Sequence, residues 1–272
     1  MKLGVVGKGG VGKTTLSSLI CMEYAERGQR VVAIDTDSNP NLAMSLGLDE
    51  DTANHAPLVP RSLVVGPGSG NLTPAALLEE YGLHTPAGVT LLHAMRVEQA
   101  GAGCTCVSHA TVRSLLGMAM EEHADVTLVD MEAGLEHLSR AGGTLAYADV
   151  LLMVMEPTRK SILTAARTVP LAEELGIPRV YGVGNKAKLP ADAEFFTAVA
   201  AEYGVPLAGI VPFDAAVPQA DRSGAPLAAS QGAEVRSAVA RIIDVVESED
   251  EQRAALARQR EKLQHRIALL QG

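Results

Sequence analysis

The clearest chemistry in the chain is carried by Gly7-Lys8-Gly9-Gly10-Val11-Gly12-Lys13-Thr14. This segment follows a short apolar run, Leu3–Val6, and opens a helical pattern over Lys13–Arg27. A G-x-x-x-x-G-K-[ST] stretch between strand and helix is a phosphate cradle. Its glycines allow backbone angles that turn successive N–H groups inward, and the helix N-terminus adds partial positive charge. Lys13 is placed to reach β- and γ-phosphates and the Thr14 hydroxyl to ligate Mg²⁺, with Thr15 beside it among the nucleotide contacts.

Two acidic strand ends complete a phosphoryl-transfer site. The run Val31–Ile34 ends in Asp35-Thr-Asp37, and Val126–Val129 ends in Asp130, followed by Met-Glu-Ala-Gly134. Carboxylates at the C-terminal ends of parallel strands face the crevice where ligands bind. Asp130 fits a magnesium-side carboxylate, and the Gly134 N–H is a candidate sensor of the γ-phosphate. Phosphoryl transfer needs charge neutralisation and positioning more than covalent chemistry, so a lysine-rich loop with Lys13 and two acidic strand ends, one of them Asp130, suffice as catalytic parts. The purine is expected to be adenine. Val180–Val183 leads into Asn185-Lys186-Ala187-Lys188, and a guanine reader of the N-K-x-D kind needs an acceptor where Lys188 has none.

A second constellation is Cys104-Thr-Cys106, preceded by Gly101 and Gly103 and followed by a helix expected from His109 to Glu122. Two thiolates one residue apart supply two ligands, whereas tetrahedral Zn²⁺ and square-planar Ni²⁺ each want four. The missing pair can come from a twofold-related copy of the same segment in a homodimer, or from His109 and water. An odd count of three cysteines makes a poor disulfide framework. Cys21 falls on an apolar stretch of the first helix and reads as an inert core residue.

The elements that must position these residues alternate short β-branched runs with longer helical patterns, which predicts an α/β fold with a doubly wound, mainly parallel sheet flanked by helices. Further strands are expected at Val89–Leu92, Leu151–Met155 and Leu207–Val211, and further helices at Lys160–Leu175, Ala191–Tyr203 and Ala233–Val246. Residues 51–88, rich in Pro, Gly, Ala and Thr, break the rhythm as a loop or short-helix excursion. One domain is expected over 1–248, with a charged helical tail over 249–272. The apolar positions of that tail suit packing on its own domain, an oligomer contact or a membrane surface.

Bulk properties narrow the functions. Of 272 residues, 47% are hydrophobic and 20% charged, as in a globular chain. The net charge of −9 argues against a non-specific nucleic-acid partner, whose phosphates call for a basic surface. No apolar run approaches the roughly 20 residues of a membrane span, and MKLGVVGKGG lacks the pattern of a signal peptide, so a cytoplasmic protein is expected.

A second lysine at the start of the loop, Lys8 in KGGVGKT, resembles the deviant Walker A class of P-loop ATPases. That resemblance implies a dimer in which Lys8 reaches the partner's phosphates. It also gives Asp37 the attacking water, Asp35 a supporting role toward Mg²⁺ or the loop, and Asn185 and Pro212-Phe213-Asp214 the adenine. The GAGCTC segment, Val129-Asp130-Met-Glu-Ala-Gly-Leu-Glu-His137 and Met155-Glu156-Pro-Thr-Arg-Lys-Ser161 occur in order. Together they resemble the CooC family, the nickel-inserting accessory ATPases of carbon monoxide dehydrogenase. The resemblance covers roughly Met1 to Val246. It implies a homodimer dependent on nucleotide and metal, with one Ni²⁺ (or Zn²⁺) between two Cys104/Cys106 pairs. The implied client is carbon monoxide dehydrogenase or a related nickel enzyme. Rival expectations are a partitioning or cell-division ATPase acting on DNA or membrane, and a metal chaperone that binds ATP without hydrolysing it. An iron–sulfur reductase of the nitrogenase-reductase type spaces its two cluster cysteines far apart, unlike this pair.

Overall fold

The computed structural model describes residues 1–37, 41–60, 63, 73–94, 106–117, 122–131 and 145–248. Among the described residues eight strands form one sheet: β1 (Lys2–Gly7), β2 (Val31–Asp35), β3 (Leu83–His84), β4 (Val89–His93), β5 (Val126–Asp130), β6 (Val150–Met155), β7 (Val180–Ala187) and β8 (Leu207–Pro212). Their spatial order is β3-β4-β2-β5-β1-β6-β7-β8. All neighbours are parallel except β3 and β4. From β1 the chain first builds toward β2 and later, through β6, toward the opposite edge. The loop after β1 therefore sits at the reversal of strand order, where doubly wound sheets bind ligands.

The helices are α1 (Lys13–Glu26), α2 (Asn41–Ser45), α3 (Glu50–Asn54), α4 (Pro74–Tyr81), α5 (Cys106–Gly117), α6 (Arg159–Glu174), α7 (Pro190–Glu202) and α8 (Ala216–Ser223). A further helix, α9, covers 233–248. Every strand and helix expected within the described residues is present, most with ends moved by one or two residues. β7 and α5 depart further. β7 runs four residues past Val183 because pairing with β8 resumes at Ala187 and Pro212 after a register shift. Helix α5 begins at Cys106, three residues before His109, since Val107-Ser-His-Ala contains no Gly or Pro to stop it. Residues 118–121 lie outside the described residues, as does the 249–272 tail.

Strand side chains alternate between two cores, which is why the runs read as continuously apolar. Leu3, Val5, Val31, Ala33, Leu128 and Leu152 face one side, against α1 and α9 through Leu16, Ile20, Tyr24, Val239 and Ile242. Val6, Val32, Ile34, Val129, Leu151 and Met153 face the other, against Val112 and Leu115 of α5, Ile162 of α6 and Phe196 of α7. Cys21 is fully buried in the first core, where burial pushes its thiol far above the ordinary range. It is the inert core residue expected of it. Within 51–88 the excursion holds α3, α4 and β3. Thr73 caps α4, its Oγ1 accepting from Ala76 N at 3.2 Å ahead of Pro74 at the first helical position.

Candidate functional site

The segment Gly7–Thr14 joins β1 to α1 as expected. Gly10 and Gly12 have φ of 80° and 94°, angles that side-chain-bearing residues rarely adopt. At Gly7 the constraint is contact: a Cβ there would lie 2.6 Å from the Val154 carbonyl oxygen on the neighbouring strand. The two lysines of the motif differ in placement. Lys13 is buried, and its Nζ donates to the Lys8 carbonyl at 3.1 Å. Lys8 is exposed on the crest.

The carboxylates meet the loop from below. Asp130 is buried at the end of β5, and its Oδ1 accepts from Ser17 Oγ at 2.9 Å. It also accepts from the Thr14 hydroxyl. Burial nevertheless pushes its carboxyl up to about 6, with Thr14, Ser17 and Lys13 pulling the other way. Asp35 stands in register between Asp130 and His93. Its Oδ1 accepts from Asp37 N at 2.9 Å, while Oδ2 lies 4.0 Å from His93 Nδ1 without a hydrogen bond among the described residues. Burial, and then the charge of Asp130, raise Asp35 well above the usual carboxylate range. Thr36 donates to the Asp130 carbonyl through N at 3.2 Å and Oγ1 at 2.8 Å, locking the two strand ends together. The Thr14 hydroxyl and the Asp130 carboxylate are hard oxygen donors at the loop, a set that fits Mg²⁺.

A cleft of about 850 Å³ runs from Lys13 and Thr14 past Asp37 and Asn185 to Phe213 and Asp214; Gly9, Gly10, Gly12, Thr15 and Pro212 also line it. Phe213 N donates to the Ala187 carbonyl at 2.8 Å, and Asp214 Oδ1 accepts from Ala216 N at 2.8 Å. Lys188 Nζ sits 4.8 Å from the centre of the half-exposed Phe213 ring. Asn185 has both amide atoms engaged: Nδ2 donates to the Val11 carbonyl at 2.8 Å and Oδ1 accepts from Lys186 N at 2.9 Å.

Glu156 and Lys186 are among the cleft residues not singled out as site residues from sequence. Lys186 Nζ donates to Glu156 Oε1 at 2.7 Å and to the Gly10 carbonyl. The rule that marks Asp35 and Asp130, an acid directly after an apolar strand, also marks Glu156 at the end of β6. Gly134 and Cys104 lie outside the described residues, and so does the side chain of Cys106. Among the described residues, no group of three or more His, Cys, Asp or Glu is arranged to hold a metal ion.

The sequence profile of the CobQ/CobB/MinD/ParA nucleotide binding domain matches residues 5–227. The chain belongs to this family. It is 35% identical over 237 residues to the carbon monoxide dehydrogenase accessory protein CooC of Rhodospirillum rubrum, covering 82% of this chain and 88% of that protein. Among solved structures it resembles the septum site-determining protein MinD complexed with Mg-ADP from Pyrococcus horikoshii OT3. The TM-score is 0.68 at 19% identity, over 90% of this chain and 95% of that one. A ParA family ATPase from Chlorobium tepidum TLS superposes with a TM-score of 0.68 at 20% identity, over 90% and 98%. The structural likenesses establish the MinD/ParA fold. The sequence likeness bears out the resemblance to CooC that the ordered motifs carry. This member of the MinD/ParA class of P-loop ATPases is thus related to an accessory protein of carbon monoxide dehydrogenase.

Proposed function

We propose that this protein hydrolyses ATP as a nucleotide-dependent homodimer and uses that cycle to deliver nickel to carbon monoxide dehydrogenase or a related nickel enzyme. The observation that carries the ATPase part is the cluster of Lys13, Thr14, Ser17 and Asp130 beneath a glycine-framed loop. Lys13 is placed for the β- and γ-phosphates, and the loop N–H groups of Gly9 to Thr15 for the remaining oxygens. Thr14 and Asp130 would hold Mg²⁺, which supplies charge neutralisation at the phosphates. Asp37 orients the water whose oxygen bonds to the γ-phosphorus as the bond to ADP breaks, leaving ADP and phosphate. Asp35 braces the Asp37 turn through its backbone N–H, Gly134 senses the γ-phosphate, and adenine lies against Asn185, Pro212, Phe213 and Asp214.

The nickel part rests on the likeness to CooC together with Cys104 and Cys106. Thiolates suit Ni²⁺ and Zn²⁺, and two copies of the pair complete a four-sulfur site across a twofold axis. Lys8, exposed on the crest, faces outward, as a residue acting on the partner's phosphates must. ATP binding then draws two subunits over one metal ion, and hydrolysis reopens the seam. The ATPase unit is 1–248 and the charged segment 249–272 an appendage. The fold likeness to MinD and ParA proteins does not favour a DNA or membrane role. Among the described residues no helix is long and apolar enough to cross a membrane.

Metal analysis of the isolated dimer tests this function. One nickel ion per dimer is expected with a non-hydrolysable ATP analogue, and none in Cys104→Ala. If Cys104→Ala keeps half or all of the metal, a shared four-thiolate site is wrong.

A further inference from the structure

We propose that Asn185 and Lys186, adjacent at the end of β7, act as a brace. They fix two consecutive peptide planes of the phosphate loop in the orientation that phosphate binding needs. The inference rests on reading this loop as the ATP site. Asn185 Nδ2 holds the Val11 carbonyl at 2.8 Å, and Lys186 Nζ holds the carbonyl just before it, that of Gly10. In a planar trans peptide the C=O and the following N–H point in opposite directions. Holding the Gly10 carbonyl therefore sets where the Val11 N–H points, and holding the Val11 carbonyl sets the Gly12 N–H. The Val11 N–H accordingly turns into the loop, 3.5 Å from the Lys8 carbonyl that also receives Lys13 Nζ.

The backbone of β7 is bent to make this possible. Successive side chains of an extended strand point to opposite faces, so two neighbours cannot ordinarily reach the same loop. Lys186 has φ of 59°, a left-handed angle found at no other non-glycine among the described residues. The β7–β8 register breaks at the same place, between Gly184 and Ala187. That disfavoured turn swings Lys186 to the side Asn185 already occupies. The pairing of Met155 with Gly184 then brings the end of β6 alongside, and Glu156 Oε1 takes the ammonium at 2.7 Å. Glu156 thus aims Lys186 at the loop. Only one orientation of the Asn185 amide satisfies both its carbonyl acceptor and the Lys186 N–H donor, so the two residues also hold each other.

Calorimetric titration with Mg-ATP, Mg-ADP and inorganic tripolyphosphate tests the brace. Lys186→Met is expected to weaken all three by the same factor, about tenfold, since it removes one charge-assisted bond to the loop. Its unfolding midpoint is expected to stay near the parent's because the side chain is partly exposed. Lys186→Arg is expected to recover most of the affinity, and Glu156→Gln to lose about threefold, equally for the three ligands. Unchanged affinities in Lys186→Met overturn the proposal. So does a loss confined to ATP and ADP with tripolyphosphate spared, which would mean a direct contact with the nucleoside. Should Lys186→Met fail to fold, equal losses in Glu156→Gln support the brace and unchanged binding rejects it. A parent protein that binds none of the three would sink the ATPase assignment instead.

Discussion

Ser17 Oγ donates to Asp130 Oδ1 at 2.9 Å, joining α1 to the end of β5 across 113 residues of sequence. Thr14, one helical turn earlier on the same face, donates to the same carboxylate. The helix that begins at the phosphate loop and the strand carrying the principal carboxylate are thereby locked as one piece. Ser17 and Asp130 are both buried, so Ser17→Ala leaves a desolvated carboxylate one donor short. A loss of about 2 kcal/mol in urea unfolding is expected. A loss below about 0.5 kcal/mol, the scatter of neutral surface changes, would show that the bond does not hold the two elements.

Asp130 also fixes a pH dependence. Burial pushes its carboxyl up to about 6 in the folded chain, against an ordinary aspartate near ~3.9. The folded state therefore holds this proton more tightly than the unfolded state. The stability it contributes is complete below about pH 4 and is lost as pH rises through about 6. Two pH units correspond to on the order of 3 kcal/mol. In nucleotide-free protein, Asp130→Asn is expected to gain on the parent steadily from pH 4 to 7 in urea midpoints. Parallel curves for the two proteins over that range would refute the shift.

The loop glycines should separate by cause. A Cβ at Gly7 meets the fixed Val154 carbonyl at 2.6 Å, with no flexible atom to yield. Gly7→Ala is expected to cost about 2 kcal/mol or more in stability. At Gly12 the Cβ meets Asn185 Nδ2 at 2.5 Å with φ at 94°, so the substitution pushes away the side chain that holds Val11. Nucleotide affinity is expected to fall further than stability there. Gly10 opens on free space, and its φ of 80° alone costs about 1 kcal/mol in alanine. Thermal unfolding and ATP titration of the three variants give the ranking, and a Gly10→Ala as damaging as Gly7→Ala would contradict it.

What the sequence made legible follows from where the determining contacts lie. Leu3–Val6 and Val126–Val129 read as strands because both faces of the sheet are covered, so every position is apolar. The loop was legible because its function depends on residues adjacent in sequence. Strand β3, only Leu83 and His84, exists through pairing with β4 and has no pattern of its own. Helix α8 is only eight residues long, holds Pro218, and packs no more than the partly buried Ala216, Val217 and Ala220 against the core, too short a stripe to read as a helix. The Lys186–Glu156 pair was hidden for a third reason. The two residues are 30 positions apart and meet only because the β6–β7 register sets Met155 opposite Gly184. A left-handed Lys186 has no signature in residue type, since such angles favour Gly or Asn.

Lys8 and Asp37 allow the dimer itself to be tested by mixing variants. Lys8 is exposed at the loop crest, so Lys8→Ala is expected to leave stability within about 0.5 kcal/mol of the parent. Its multiple-turnover hydrolysis should nonetheless fall by at least about a hundredfold, in the range for a lost phosphate-stabilising charge. Asp37→Ala should fall by about a hundredfold or more through loss of water positioning. Each protein alone is then inactive for a different reason. If each site needs its own Asp37 and the partner's lysine, a mixed dimer contains one complete site: the Lys8→Ala subunit supplies the aspartate and the Asp37→Ala subunit the lysine. Random pairing of equal amounts makes half the dimers mixed with one working site of two, so about a quarter of parent activity should return. A lysine acting within its own subunit leaves no complete site in any pairing, and the mixture would stay as inactive as its components.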